Sequence, residues 1–206
     1  MSNFQWENVL LTSAGFFDND EKPRAAIIER FASMLKKSYK DAKVLFIPTA
    51  ALVPGDTMPE YVQFCMKDLL LLGIPLENIF SYDIDGTLTE QEAMDFDVVF
   101  FTGGNTPYLA KRVKETGFDK IIKKMVYANK VYVGISAGSM IAMTDFNVDN
   151  LIENSPGEFN GLGLIDIYFT VHCLPGTLPR EDLPRLHVPL TEDQALAVRW
   201  DGYELV

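Results

Sequence analysis

Residues 131–139 form an apolar run that ends on a serine placed between two glycines. The sequence is Val-Tyr-Val-Gly-Ile-Ser-Ala-Gly-Ser, so Ser136 follows a predicted strand and precedes a predicted helix. A tight strand-to-helix turn strains the serine backbone, and Gly134 and Gly138 leave room where a Cβ atom would clash. The Ala137 amide would lie at the helix N-terminus, where it can stabilise a developing oxyanion. The pattern predicts a nucleophile elbow, with Ser136 as the nucleophile.

A second glycine turn ends another apolar run at residues 97–107, Asp-Val-Val-Phe-Phe-Thr-Gly-Gly-Asn-Thr-Pro. Thr106 is the expected N-cap of the next helix, and Pro107 its first residue. Taken alone, Gly103 and Gly104 are equally compatible with a backbone N–H that approaches a ligand and with a turn that is merely sharp. Beside the elbow, this turn predicts that the Gly104 amide supplies a second oxyanion donor.

A nucleophilic serine needs a base, and the chain contains two histidines. His172 ends the predicted strand 167–171, at the edge where open α/β sheets place their sites. His187 lies between two prolines and is interpreted as a loop or turn residue. Cys173 is a conceivable nucleophile, but its surroundings do not resemble an elbow. We therefore expect His172 to be the general base.

Three motifs together resemble the peptidase E (aspartyl dipeptidase) and cyanophycinase family of serine peptidases. They are Gly103-Gly-Asn-Thr, Gly134-Ile-Ser-Ala-Gly-Ser, and Phe159-Asn-Gly-Leu-Gly-Leu-Ile-Asp followed by Phe169-Thr-Val-His. The resemblance implies a fold similar to the class I glutamine amidotransferases, whose elbow carries cysteine instead of serine. It also implies that Ser136 is the nucleophile, His172 the base, and the Gly104 and Ala137 amides the oxyanion hole.

The resemblance further implies an acid between the serine and the histidine. Asp149 and Glu153 straddle the expected position, and Asp145, Glu158 and Asp166 also lie in the segment. We favour Glu153, because the apolar pair before it can anchor the chain while the carboxylate reaches inward. Each acid taken singly is as compatible with a simple turn.

The same family implies a short peptide substrate with an N-terminal acidic residue. A cation would then pair with the substrate side chain, and Arg180 and Arg185 are the basic residues in the loop that follows His172. We expect Arg180 to bind substrate in preference to Arg185, together with Asn105 and Thr106 of the second glycine turn. The amino-acid sequence around Arg180 departs from the pattern of the family.

A competing motif lies at residues 83–89, Asp-Ile-Asp-Gly-Thr-Leu-Thr. It resembles the first motif of the haloacid dehalogenase phosphatases, in which the counterparts of Asp83 and Asp85 bind magnesium. The other interpretation is a glycine turn in which Thr87 or Thr89 caps a short helix. A second alternative is an amidotransferase-like domain that binds a small molecule without turnover.

Composition restricts the class of protein. The chain has 206 residues, enough for one domain over residues 1–206, with a net charge of −11 and a pI of about 4.6. This acidity argues against nucleic acid or an anionic membrane as a partner. Two cysteines and the absence of an evident signal peptide predict a cytoplasmic location. We expect a monomer or homodimer that acts on short peptides without a cofactor or metal ion.

The elements that must position these residues alternate along the chain. Predicted strands cover residues 9–13, 43–48, 78–82, 98–102, 130–135, 167–171 and 195–200. Predicted helices cover residues 23–39, 59–72, 106–115 and 118–129, with apolar residues at helical spacing. The pattern predicts an α/β fold in three layers, like that of flavodoxin, with helices on both faces of a mainly parallel sheet.

Overall fold

The computed structural model describes residues 7–145, 160–199 and 202–206. In these ranges the strands are β1 (Val9–Thr12), β2 (Val44–Ile47), β3 (Leu52–Val53), β4 (Asp56–Thr57), β5 (Ile79–Ser81), β6 (Val98–Phe101), β7 (Val131–Ile135), β8 (Tyr168–Thr170), β9 (His187–Pro189), β10 (Ala195–Arg199) and β11 (Gly202–Leu205). The α-helices of the same ranges are α1 (Ala25–Met34), α2 (Pro59–Leu71), α3 (Glu90–Ala93), α4 (Thr106–Thr116), α5 (Phe118–Tyr127) and α6 (Ala137–Met140).

Seven strands form the central sheet in the order β11-β10-β1-β7-β6-β2-β5. Five neighbouring strands of this sheet pair in parallel, namely β1, β7, β6, β2 and β5. On the other side of β1, β10 and β11 form an antiparallel edge. The predicted α/β fold with a mainly parallel sheet is confirmed. The carboxyl ends of β1, β6 and β7 therefore meet at one edge, where the two glycine turns also lie.

Helices cover both faces of this sheet, as the sequence predicted. Successive strand side chains point to opposite faces, so neighbouring residues enter different cores. In β6, Val99 belongs to the hydrophobic cluster that includes Ile122 of α5. The next residue, Phe100, belongs to the cluster that includes Phe31 of α1 and Leu69 of α2. These two cores hold the parallel strands, and hence the turns that follow them, in fixed positions.

The helices differ from the prediction mainly at their ends. The first predicted helix extended to Tyr39, but α1 ends at Met34, and Tyr39–Asp41 forms a separate 3₁₀ turn. Within the described ranges, no helix is long and apolar enough to span a membrane.

One predicted strand does not join the central sheet. The run at residues 167–171 forms β8, which pairs in parallel with β9 as a separate two-stranded ribbon. The backbone groups of β8 bond to the β9 segment instead, from the Tyr168 amide to the Leu186 carbonyl and from the Leu190 amide to the Thr170 carbonyl, both 2.8 Å long. The prolines on either side of His187 predicted a loop where β9 lies.

Candidate active site

Ser136 occupies a strained turn between β7 and α6. Its backbone angles are φ 48° and ψ −107°, in a region that residues with a side chain rarely adopt. A Cβ atom on Gly134 would lie 2.5 Å from the carbonyl carbon of Gly138, and one on Gly138 would lie 2.5 Å from the Cβ of Phe101. The elbow therefore depends on close backbone packing at both glycines, where a Cβ atom would clash as the sequence predicted.

His172 faces Ser136 across the carboxyl edge of the sheet. Its Nε2 lies 2.9 Å from the Ser136 Oγ, within hydrogen-bond distance for proton transfer. The backbone of His172 is also left-handed, with φ 60°, and its amide donates to the buried Ser13 Oγ at 2.8 Å. Ser13 directly follows β1, so the position of the imidazole is tied to the central sheet.

A carboxylate lies on the other side of the imidazole. The His172 Nδ1 is 2.9 Å from Oε1 and 3.0 Å from Oε2 of Glu192. Because a carboxylate only accepts hydrogen bonds, it favours the tautomer with the proton on Nδ1, which leaves Nε2 to accept from the serine hydroxyl. Glu153 and Asp149, the acids expected from the sequence, lie outside the described residues, so that prediction stays a prediction.

The β8–β9 ribbon explains why Glu192 reaches His172. The strands run in parallel, with Thr170 opposite Pro189, so the residues beyond their carboxyl ends emerge side by side. A further backbone bond from the Cys173 amide to the Leu190 carbonyl, 2.9 Å long, extends this pairing towards the site. In the sequence, the short apolar run before Glu192 could have indicated the strand β9. Pro184 and Pro189 favoured a loop there instead.

The second glycine turn lies against the nucleophile. Strands β6 and β7 pair in parallel with Phe101 opposite Gly134, and a Cβ atom on Gly103 would lie 3.1 Å from the Ser136 Cβ. Among the described residues, no acceptor is recorded for the amide of Gly104 or of Ala137. The role of the Gly104 and Ala137 amides as an oxyanion hole stays a prediction.

Asn105, rather than Thr106, caps helix α4. The Asn105 Oδ1 accepts a hydrogen bond of 2.8 Å from the Tyr108 amide, and Thr106 and Pro107 occupy the first turn of the helix. Asparagine is at least as good an N-cap as threonine, so the expected cap was wrong by one residue. Thr106 is buried in this structure, and the substrate-binding role of both residues stays a prediction.

The two arginines of the loop after His172 contact acidic side chains. Arg180 forms a two-pronged ion pair with Asp182, with Nε–Oδ1 at 3.1 Å and Nη2–Oδ2 at 2.6 Å. Arg185 contacts Asp145 at 2.7 Å and Asp166 at 2.8 Å. The guanidinium of Arg185 also lies over the ring of Tyr168, 5.1 Å from its centroid. Arg185 thus anchors the base of this loop, and binding of substrate by Arg180 stays a prediction.

His187 is a buried residue of β9, so its interpretation as a loop residue was wrong. Its Nδ1 accepts from the Arg180 amide at 3.0 Å, and its Nε2 lies 3.2 Å from the Thr170 Oγ1. Burial, which disfavours the charged imidazolium, lowers the pKa of His187. The neutral ring connects the loop to β8, and its contacts are those of a structural histidine.

The motif at residues 83–89 is organised by hydrogen bonds. Asp83 accepts from the Thr49 hydroxyl at 2.8 Å, and Asp85 accepts from the Tyr82 hydroxyl at 2.9 Å. Thr89 caps α3 in a capping box with Glu92, as the turn interpretation expected. Within the described ranges, no group of three or more His, Cys, Asp or Glu residues is placed to hold a metal ion.

A cavity of about 270 Å³ adjoins the imidazole and was not expected from the sequence. It is lined by His172 and Glu192 and, on the side of the β1–α1 loop, by Arg24. Arg24 lies in a stretch of sequence with no recognisable motif, so the sequence alone provided no reason to expect it here.

Comparison with known proteins gives the family. The model of peptidase family S51 matches residues 9–199. An uncharacterised peptidase of Listeria monocytogenes is 39% identical over 136 residues, which span 63% of this chain and 64% of that protein. A peptidase E of Shewanella denitrificans is 30% identical over 169 residues, 80% of this chain and 66% of that protein. The chain thus spans just under two thirds of the length of each of these two relatives.

Solved structures share the fold. A crystal structure of a candidate peptidase E from Listeria monocytogenes superposes with a TM-score of 0.70 at 24% identity, covering 98% of both chains. A peptidase from an acI-B1 actinobacterium superposes with a TM-score of 0.63 at 19% identity, covering 99% of this chain and 88% of the other.

Proposed function

The chain belongs to peptidase family S51, and we propose that it is a serine exopeptidase that hydrolyses short peptides. The observation that carries the proposal is the alignment of three groups, in which the Ser136 hydroxyl, the His172 imidazole and the Glu192 carboxylate are joined by contacts of 2.9–3.0 Å. A serine, a base and an orienting acid in this arrangement are the machinery of acyl transfer.

The proposed reaction begins with the neutral imidazole. His172 removes the hydroxyl proton as the Ser136 oxygen attacks the carbonyl carbon of the substrate, and the amides of Gly104 and Ala137 stabilise the oxyanion. His172 then protonates the leaving amine, which departs and leaves an acyl-enzyme. In the second half His172 activates a water molecule, which releases the acyl group and restores Ser136.

Glu192 is the proposed orienting acid in this scheme. Its carboxylate holds the proton on Nδ1 and stabilises the imidazolium that forms during each half of the reaction. Glu153 remains the competing assignment derived from the family pattern, with Asp149 as its neighbour. The three acids can be separated by mutation, because each can be replaced by its amide with almost no change in size.

Burst kinetics with an activated ester test the proposed function. An enzyme that forms an acyl-enzyme on Ser136 releases about one equivalent of leaving group rapidly and then turns over more slowly. A non-catalytic domain that binds a small molecule, the second candidate, would release no burst, and its surviving serine would serve no reaction. The extent of the burst therefore separates the two.

Preference for an N-terminal aspartate is the finer part of the proposal. It is supported by the family resemblance, which implies a cation for the substrate side chain, and Arg180 is the candidate in the loop after His172. The Arg180 guanidinium pairs with Asp182 in this structure, so a substrate carboxylate would have to displace or share that pair. A site that binds the substrate carboxylate should favour Asp-Leu over Ala-Leu and Asn-Leu by about 1.5–3 kcal/mol, and Arg180→Ala should lose that preference. Equal kcat/KM for the three dipeptides in the wild type would exclude it.

A further inference from the structure

The cavity beside the imidazole is large enough for one residue of a substrate. Its volume of about 270 Å³ lies just below the range of roughly 300–1,000 Å³ found for pockets that hold drug-sized ligands. Three aromatic residues, Phe17, Tyr61 and Phe64, contribute to its lining, and the rings of Tyr61 and Phe64 stack with their centroids 6.4 Å apart. These walls suit an apolar side chain.

The lining also shows on which side of the scissile bond the cavity lies. It includes His172 and Glu192, whereas Ser136, Gly104 and Ala137 are not among the described residues that line it. In acyl transfer the imidazole must give its proton to the leaving amine, so the leaving residue lies on the side of the imidazole. If the proposed function holds, on which this inference rests, the cavity faces the leaving group and not the acyl group.

Arg24 lies on the wall of this cavity and is held rigidly. Its side chain is only 9% exposed, its Nε donates to the Asp193 Oδ1 at 3.0 Å, and its Nη1 donates to the carbonyls of Ala14 and Phe17. Among the described residues, no acceptor is recorded for Nη2. A preorganised guanidinium with a free nitrogen is well suited to bind a carboxylate.

Two carboxylates limit where a ligand's negative charge can lie. Asp18 also lines the cavity, and hydrogen bonds from the backbone amides of Lys22 and Asp20 help to lower its pKa, so it is ionised at neutral pH. Glu192 lies beside His172. Among the described residues that line the cavity, Arg24 is the one lysine or arginine, and its charge is shared with Asp193. A ligand carboxylate is therefore disfavoured in the body of the cavity and is placed best beside Arg24.

We propose that this cavity binds the C-terminal residue of a dipeptide, with Arg24 pairing with its free α-carboxylate and the aromatic walls accepting an apolar side chain. A longer peptide would place an uncharged amide beside Arg24 and would need room for the rest of the chain. The cavity would thus select substrates by length, and it would disfavour aspartate or glutamate as the second residue.

The test compares a dipeptide with its C-terminal amide, for example Asp-Phe and Asp-Phe-NH₂, in wild-type protein and in Arg24→Gln. We expect kcat/KM of the wild type to be about 10- to 100-fold higher for the free acid, as for a lost hydrogen bond between charged groups. Arg24→Gln should abolish this ratio by lowering the rate on the free acid alone. Arg30→Gln, a change on α1 outside the cavity lining, should preserve the ratio.

The acid-to-amide ratio of the wild type needs no variant, so the test survives if Arg24→Gln fails to fold. Equal kcat/KM for acid and amide would overturn the role of Arg24 while leaving a working peptidase. Retention of the full ratio in Arg24→Gln would do the same. Failure to hydrolyse either peptide, together with no burst from an activated ester, would instead overturn the proposed function and this inference with it.

Discussion

The nucleophile and its base are held in different ways. Ser136 lies between residues that are almost fully buried, Ile135 with 2% and Ala137 with 1% of their surface exposed, in a turn fixed by close backbone contacts. The side chains of His172 and Glu192 are 47% and 51% exposed, at the ends of a two-stranded ribbon outside the central sheet. The elbow is positioned by packing, whereas the base and acid are positioned by individual hydrogen bonds.

This difference determines what mutations should do. In the elbow, a substitution that overfills the close backbone contacts, such as alanine at Gly134 or Gly138, should destabilise the fold and the site together. On the ribbon, removal of one hydrogen bond should displace the His172 imidazole or change which of its nitrogens carries the proton, while leaving the core intact. The two regions can therefore be separated by measuring activity and stability on the same variants.

Removal of the nucleophile should have the largest effect. Ser136→Ala removes the attacking oxygen, and kcat for a dipeptide should fall by about 10⁴ or more, as when a triad nucleophile is lost. The melting temperature should change little, because only the half-buried hydroxyl is removed. Near-wild-type turnover by this variant, measured on material free of wild-type protein, would show that Ser136 is not the nucleophile.

Neutralising the acid beside Nδ1 should come next. Glu192→Gln preserves size but no longer fixes the tautomer, so we expect kcat to fall by about 10²–10⁴, up to the loss seen for an amide in the third position of a serine protease triad. Glu153→Gln and Asp149→Asn serve as matched controls and should stay close to wild type. If kcat falls strongly in Glu153→Gln or Asp149→Asn and stays near wild type in Glu192→Gln, the orienting acid lies in the segment between Ser136 and His172 instead.

Two buried serines allow a direct comparison of the regions. The Ser13 Oγ accepts from the His172 amide at 2.8 Å. The Ser139 Oγ lies 2.8 Å from the carbonyl oxygens of both Thr12 and Gly134 below the elbow, which share its one hydrogen. Ser13→Ala should lower the free energy of unfolding by about 1–3 kcal/mol, because the His172 amide is left without its acceptor. Ser139→Ala should lower it by about 0.5–1.5 kcal/mol, since the Thr12 and Gly134 carbonyls still accept from the Ser136 amide and the Thr12 hydroxyl. Only Ser13→Ala should also lower kcat, by about tenfold. Equal losses of activity in the two variants would remove the distinction between the regions.

The smallest effect concerns the pH dependence of stability. Burial raises the pKa of Asp68 to about 6, although its carboxylate accepts from the Phe16 amide at 2.7 Å. Its ionisation therefore disfavours folding, and the stability present below about pH 4 is lost as the pH rises through 6.

Asp68→Asn should remove this loss. The oxygen of the new side-chain amide can still accept from the Phe16 amide. The free energy of unfolding of the variant minus that of the wild type should therefore be about 1–3 kcal/mol larger at pH 7 than at pH 4. Denaturant melts at the two pH values measure the change. A constant difference between wild type and variant across this range would show that Asp68 does not titrate in this way.

The parts of the molecule that follow local rules could be predicted from the sequence. The elbow at Ser136 and the parallel strands depend on apolar runs and glycine spacing, which are local signals. Glu192 could not be identified, because its role arises from parallel pairing between β8 and β9, two short segments separated along the chain by a proline-containing loop. The position of Arg24 beside the imidazole is likewise a product of tertiary packing.

Covalent labelling of the serine tests the triad most directly. A fluorophosphonate should modify the wild type once, on Ser136, as located by mass mapping of the digested protein. The rate of labelling should fall by at least about 100-fold in Glu192→Gln, because phosphonylation also requires the oriented imidazole, and should stay unchanged in Glu153→Gln and Asp149→Asn. Labelling of another residue, or a rate that depends on Glu153 or Asp149 and not on Glu192, would contradict the proposed Ser136–His172–Glu192 triad.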